Sequence, residues 1–285
     1  MGSELAEGGF CWLDGDFHRE IKTPVNAGLL HSGLLIREGI RTLGTRLAFF
    51  REHYNQLESR LKSLGINLDS ILTPEEMHRQ AVNLINKNRY FGGNLLQVSI
   101  IQEYRADRGD SHCLMQCSTL DQTSYVLNRK GYVLGLYDDL NIPLERLTGL
   151  IDRSPLIDYF ARLFVKAGGL DDCILFNRKG HVAGSLESTV FFRIRDRLHT
   201  PPLKDGVMPS VMRDQVMDLL AAAGDPVNDE ISLRPVDIEE AEEIFLANAS
   251  EGIRWVVSVD RVRYFNHTGT RLINMLNDKA FGMLS

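Results

Sequence analysis

An α+β protein of two domains is the fold that the sequence predicts, and three observations carry it. Strand-like and helix-like stretches mix in each half without the regular βαβ alternation of a doubly wound sheet. The polar stretch Asp121 to Ser124 separates the halves, and 285 residues are enough for two modest domains, each with a core. The expected division is a small N-terminal α/β domain over residues 1–120, a linker over 121–124, and a larger domain over 125–285.

Taken in order, Cys11-Trp12-Leu13 and Phe17 flank Asp14-Gly15, a hairpin signal. Phe50, Tyr54, Leu57, Leu61 and Leu64 recur at helical spacing and stop at Gly65. Thr73-Pro74-Glu75-Glu76 reads as a capping box opening a helix to about Asn88. Leu95 to Tyr104 and Cys113 to Leu120 read as strands. In the second half, Ser154-Pro155 opens a helix to about Lys166, and Ser210 to Ala223 is a helix after Pro209. Ile174 to Phe176 and Thr189 to Ile194 are strand-like, with Asn177-Arg178-Lys179-Gly180 a turn between them. Phe245 to Ala247 and Trp255 to Val259 are later strands, and Thr268 to Leu276 a closing helix. There are no internal repeats and no low-complexity tracts.

Composition narrows the function classes. Hydrophobic residues are 44% and charged residues 25%, as in soluble globular proteins. A formal net charge of −6 argues against nucleic acid, and no apolar run approaches the roughly 20 residues that cross a bilayer. The N-terminus has no basic-then-apolar pattern, so a cytoplasmic location is expected. Cys11, Cys113, Cys117 and Cys173 are too few and scattered for a disulfide framework. His112, Cys113 and Cys117 could be read as metal ligands. Their strand-like setting favours buried apolar thiols instead, and no metal is expected.

One stretch carries a more specific signal: DDCILFNRKGHVAGSLESTVFFRIRDRLHTPPLKDGVMPSVMRDQVMDLL. Its pieces are a hairpin ending in Thr200-Pro201-Pro202-Leu203, then Gly206, then Val211-Met212-Arg213-Asp214 opening a helix. Earlier come Gly33, Glu38-Gly39-Ile40-Arg41, and Phe50-x-x-His53 on a helix. Later come Phe245-Leu246-Ala247-Asn248-Ala249 and Gly252-Ile253-Arg254-Trp255-Val256. In this order and over nearly the whole chain, the sequence resembles the class IV aminotransferases. These are the fold-type IV pyridoxal phosphate enzymes, which include branched-chain aminotransferases, D-amino-acid aminotransferases and aminodeoxychorismate lyases. The resemblance implies the two-domain fold-type IV architecture and a homodimer, with a pocket where domains and subunits meet.

Carried over position by position, the resemblance points to a divergent member. The family's cofactor lysine falls on Ile151, counted without gaps from Pro143 forward or from Asp171-Asp172 backward. The Thr or Ser after it falls on Asp152, and the Asn two residues further on falls on Ser154. The arginine that grips the cofactor phosphate is Gln56, and the tyrosine before the first glycine is Ser32. The carboxylate that pairs with the pyridine nitrogen falls on Gly184, and the late-loop threonine on Ala247. Isoleucine can neither hold an aldehyde as an imine nor shuttle a proton, and Gln56 keeps a hydrogen bond but loses the charge. The backbone at Ser210, Val211 and Met212 still opens a helix and could still bind an anion. Ser32, Gln56, Arg153 and Asn248 would line an open pocket as a mildly basic cavity.

Bland readings stand beside the sharp ones. Lys130, Lys166 and Lys179 read better as solvated surface groups than as replacement lysines. Arg153, two residues after Ile151, either binds a carboxylate or phosphate or pairs with Asp152 or Asp158. His53 suits packing or capping, and a His31–Ser32 nucleophile has no Asp close by. Leu30, Leu34, Leu35 and Met212 fill space. The preferred expectation is a degenerate homologue that binds no cofactor and serves as a scaffold for a small anionic ligand or a partner. The alternatives are a pyridoxal phosphate aminotransferase or lyase with relocated contacts, cofactor-free chemistry in the emptied pocket, or a folded relic.

Overall fold

The computed structural model describes residues 9–19, 34–102, 111–144 and 148–282. The chain divides into two compact units, Met1–Ser124 and Tyr125–Ser285. In the first lie β1 (Cys11–Leu13), β2 (Asp16–His18), β3 (Leu34–Leu43), β4 (Arg46–Leu47), α1 (Phe50–Ser63), α2 (Pro74–Asn88), β5 (Gly93–Gln102) and β6 (Ser111–Thr119). They make one antiparallel sheet in the order β2-β1-β6-β5-β3-β4. Asp14 and Gly15 join β1 to β2 with φ of 47° and 112°, the positive values that a two-residue hairpin turn needs. Thr73 caps α2, its side chain accepting from the Glu76 amide, with Pro74 in the first turn. The apolar faces of both helices pack on the sheet, burying Leu57, Leu61, Leu84 and Ile85 against Ile36, Leu96 and Val98.

The second unit holds β7 (Tyr132–Ile142), α3 (Pro155–Gly168), β8 (Asp172–Asn177), β9 (Val182–Ser185), β10 (Thr189–Ile194), β11 (Arg197–His199), α4 (Val211–Ala222), β12 (Val227–Asn228), α5 (Pro235–Glu239), β13 (Glu243–Asn248), β14 (Gly252–Val259), β15 (Val262–Arg263) and α6 (Gly269–Phe281). Its strands run β12-β11-β10-β13-β14-β7-β8-β9, with β15 beside β14. Every residue of β8 is buried, as a strand covered on both faces requires. Phe191 and Phe245 sit opposite each other in the β10–β13 ladder and stack with centroids 5.0 Å apart. Buried Glu243 accepts from the His267 and Thr268 amides, at 2.8 Å each, and holds the start of α6.

The α+β class and the expected helices stand, and the ends of most elements shift by a few residues. Strands β3, β7 and β9 escape the sequence pattern, as do the two-residue β4, β12 and β15. In β3, buried Glu38, Arg41 and Thr42 break the apolar alternation. In β7, Gly135, Asp138 and Asn141 do the same. β9 has only four residues, one of them glycine. The second sheet also contains a βαβ crossover, since β7 and β8 are parallel neighbours joined through α3. Residues 121–124 are fastened to the first unit: the Arg41 guanidinium donates to the carbonyls of Gln122, at 2.5 Å, and Ser124, at 2.8 Å. No described helix is long and apolar enough to cross a membrane.

That fastening depends on Gly93, where an added Cβ would overlap the backbone carbonyl of Gln122. Gly93→Ala is therefore expected to destabilise the first unit by about 2–3 kcal/mol. The urea midpoint, at unchanged m-value, checks this.

Candidate functional site

Position 151 lies in a tight turn. Ile151 is half-buried and bridges to Thr148, whose hydroxyl donates to the Pro143 carbonyl at 2.9 Å. Two residues on, Arg153 is fully engaged within the chain. Its Nε donates to Asp158 Oδ1 at 2.5 Å, and its terminal nitrogens donate to the carbonyls of Ser185, at 3.3 Å, and Leu186, at 2.5 Å. The ion pair with Asp158, one of the two readings of Arg153, is present in the structure.

Those carbonyls belong to the turn from Ser185 to Ser188, which directly follows Gly184. Asp172, at the head of β8, holds the turn from the other side. Its carboxylate accepts from Ser185 Oγ at 2.7 Å and from the Leu186 amide at 3.0 Å. Burial pushes the Asp172 carboxyl up to about 6, although the Ser185 and backbone hydrogen bonds favour its charged form. Gly184 itself has φ of 120°, beside an irregularity in the β8–β9 ladder. A Cβ there would meet only the Ser188 carbonyl, at 3.5 Å, so conformation rather than space disfavours a side chain. Glu187, the carboxylate three residues beyond Gly184, is exposed and paired with Arg162.

Around this turn the remaining candidates are also in use. Asn248, at the end of β13, donates to Ser188 Oγ at 2.9 Å and accepts from the Glu251 amide at 2.7 Å. Glu251 is partly desolvated, which pushes its carboxyl up, but Arg254 at 3.1 Å together with hydrogen bonds from Tyr132 and Asn248 outweighs this and holds it below the usual range. Ala247 is buried between Thr189 and Ile253 in the sheet. Ser210 caps α4, its side chain accepting from the Arg213 amide, while Val211 and Met212 are buried in the first turn. Arg213 is committed as well, donating to Asp229 at 2.9 Å and to the Pro201 carbonyl at 3.5 Å.

In the first unit, Gln56 belongs to a buried cluster around Glu38. Its amide donates to Glu38 Oε2 at 3.3 Å, and His53 Nδ1 lies 2.6 Å from Oε1. Arg60, one turn beyond Gln56 on α1, donates to the Arg37 carbonyl at 3.0 Å and lies 3.7 Å from Glu38. Arg60 and Asp172 were not among the sequence candidates. The four-residue spacing of Gln56 and Arg60 was the available signal for the first. Ser32 and His31 lie outside the described residues.

Other readings resolve locally. Cys113 and Cys117 point into the core, burial pushing both thiols up to about 12, while the His112 ring pairs with Asp14 at 2.6 Å. Among the described residues no three His, Cys, Asp or Glu side chains gather as metal ligands. Lys130, Lys166 and Lys179 are exposed. An open depression of about 570 Å³ lies in the first unit beside Trp12, Ser70, Leu72 and Cys113, and none of the described cofactor-site positions lines it.

The profile of the family "Amino-transferase class IV" matches residues 36–259, well over half of the chain. This chain belongs to the class IV aminotransferases. It is 25% identical over 261 residues to a Methanocaldococcus jannaschii protein provisionally assigned as a branched-chain-amino-acid aminotransferase, covering 87% of each chain. The branched-chain amino acid aminotransferase of Escherichia coli superposes with a TM-score of 0.83 at 17% identity, over 96% of this chain and 95% of that one. The enzyme of Thermobaculum terrenum, solved in its pyridoxal phosphate form, gives 0.82 at 17% identity, over 97% and 95%.

These relatives correct one expectation. The loss of lysine at 151 was read as the loss of the cofactor, yet class IV aminotransferases of this fold bind pyridoxal phosphate, as the Thermobaculum terrenum structure does. Nothing in this class IV chain excludes the cofactor. The residues do not fit its covalent attachment at 151, because Ile151 has no amine, Gly184 no carboxylate and Ala247 no hydroxyl. A phosphate still has the first turn of α4, where a helix leaves amides unpaired.

The buried Asp172 yields a pH signature. Its folded-state pKa is raised, so its contribution to stability is full below the ordinary carboxylate range and is lost as pH rises through about 6. Between pH 4 and 7, the protein should lose on the order of 3 kcal/mol relative to Asp172→Asn, which cannot ionise. Parallel pH profiles of urea stability for the two proteins would count against this role.

Proposed function

We propose that this class IV aminotransferase-like chain does not transaminate through position 151 and acts as a ligand-binding scaffold. Its ligand is a small phosphate-bearing anion, with the pyridoxal phosphate of its relatives included, held without an imine to residue 151. What carries this reading is the isoleucine at 151, where the ungapped resemblance places the family's lysine. In support, Arg153 beside it is committed to Asp158 and to two backbone carbonyls. Exposed Lys130, Lys166 and Lys179 offer no desolvated amine to take over, and an exposed amine stays protonated near neutral pH.

The reading includes a homodimer in the cytoplasm. The four cysteines, all buried as free thiols, suit a reducing compartment.

The experiment is a visible spectrum of the purified protein with pyridoxal phosphate, before and after borohydride, followed by intact and peptide mass. The expected result is thermal stabilisation by pyridoxal phosphate but not by unphosphorylated pyridoxal, with no borohydride-fixed adduct and no amino transfer to a 2-oxo acid. A stoichiometric adduct mapped to a single lysine would overturn the proposal.

A further inference from the structure

The open depression of about 570 Å³ in the first unit has the size of a small-ligand site. Three stretches of chain wall it. The β1–β2 hairpin supplies Trp12 and Asp14, the first turn of α2 supplies Glu76, and the chain between Leu68 and Leu72 supplies Ser70, Ile71 and Leu72. Each of these stretches is anchored from below, since Trp12, Leu68, Leu72 and Met77 are all buried in the core of that unit. Packed elements therefore hold the depression open.

Trp12 makes the strongest demand for a ligand. It is 3% exposed, and its Nε1–H has no hydrogen-bond partner among the described residues. An indole nitrogen can only donate, so whatever completes it is an acceptor. Buried donors are seldom left in this state, because desolvation without a new partner is costly.

The charges on the walls make the opposite demand. Asp14 and Glu76 are acidic and partly open to solvent, and no lysine or arginine is among the described lining residues. Asp14 accepts from the Cys113 amide at 2.8 Å and lies 2.6 Å from His112 Nδ1. Glu76 accepts from the Gln80 amide at 2.6 Å and pairs with Arg79. A carboxylate has about four lone-pair sites, so each retains capacity for a further donor. Ile71, Leu72 and the indole ring add apolar contact.

We propose that this depression binds a small organic monocation with an apolar body and an uncharged acceptor oxygen, as in an amino-acid amide. The acceptor oxygen completes Trp12 Nε1, and the ammonium group is held by Asp14 and Glu76. A free carboxylate on the ligand would be repelled by the same two side chains. The site is separate from the phosphate-bearing ligand proposed above and stands without it.

Proton–nitrogen NMR of the indole groups, on the full chain titrated with leucinamide, tests this. Trp255 is the internal control, because its Nε1 already donates to the Asn128 carbonyl at 2.8 Å. Trp12→Phe assigns the two signals. The Trp12 indole proton should move downfield saturably while that of Trp255 stays in place. Leucine, which adds a carboxylate, and N-acetyl-leucinamide, which lacks the charge, should each bind at least about 10-fold more weakly. So should leucinamide to the Asp14→Asn, Glu76→Gln double variant, by about the same factor. Asparagine suits the hairpin turn and glutamine the helix start, so that variant should fold as the wild type does. A titration with no saturable shift at Trp12 overturns the proposal. Equal binding by the double variant, by leucine or by N-acetyl-leucinamide overturns it as well.

Discussion

Asp172 opens the fully buried strand β8 and accepts hydrogen bonds from Ser185 and Leu186, which binds the turn after the edge strand β9 to its neighbour in the second sheet. Arg153 grips the carbonyls of the same turn from the segment before α3. A desolvated carboxylate must have its lone pairs satisfied, and a guanidinium offers more donors than one carbonyl can use. Between them, the two groups hold three chain segments together: the start of β8, the turn 185–188, and the residues leading into α3. Asn248 adds the end of β13 through Ser188.

The same economy explains why position 151 sits in a settled environment. Arg153 pairs with Asp158 and two carbonyls, Arg213 with Asp229 and the Pro201 carbonyl, and Arg254 with Glu251 and the Val126 carbonyl, while the buried Nε atoms of Arg213 and Arg254 lack a hydrogen-bond partner among the described residues. In the first unit, Gln56, His53 and Arg60 converge on Glu38 in the same way. A helix start at Ser210 then remains as a feature suited to an anion, because it depends on backbone amides that only a proline would remove.

Much of the fold was legible in local pattern. The Asp14-Gly15 hairpin, the Thr73-Pro74 helix start and the Ser210 cap each follow from one or two residues whose backbone preferences allow little else. Strands β3 and β7 were not legible, because Glu38, Arg41 and Asp138 interrupt the apolar alternation. Glu38 and Arg41 are buried there because their partners, His53 and the carbonyls of Gln122 and Ser124, come from distant parts of the chain.

By itself, the sequence determined the family, the helix and turn positions, and the absence of an amine at residue 151, since identity and spacing are properties of the chain alone. Only the tertiary structure decided what the remaining polar groups do. Arg153 could have faced a ligand or a carboxylate of its own chain, and Asp172 could have been an ordinary surface acid. The fold gives each its partners by bringing donors and acceptors from distant segments within hydrogen-bond reach.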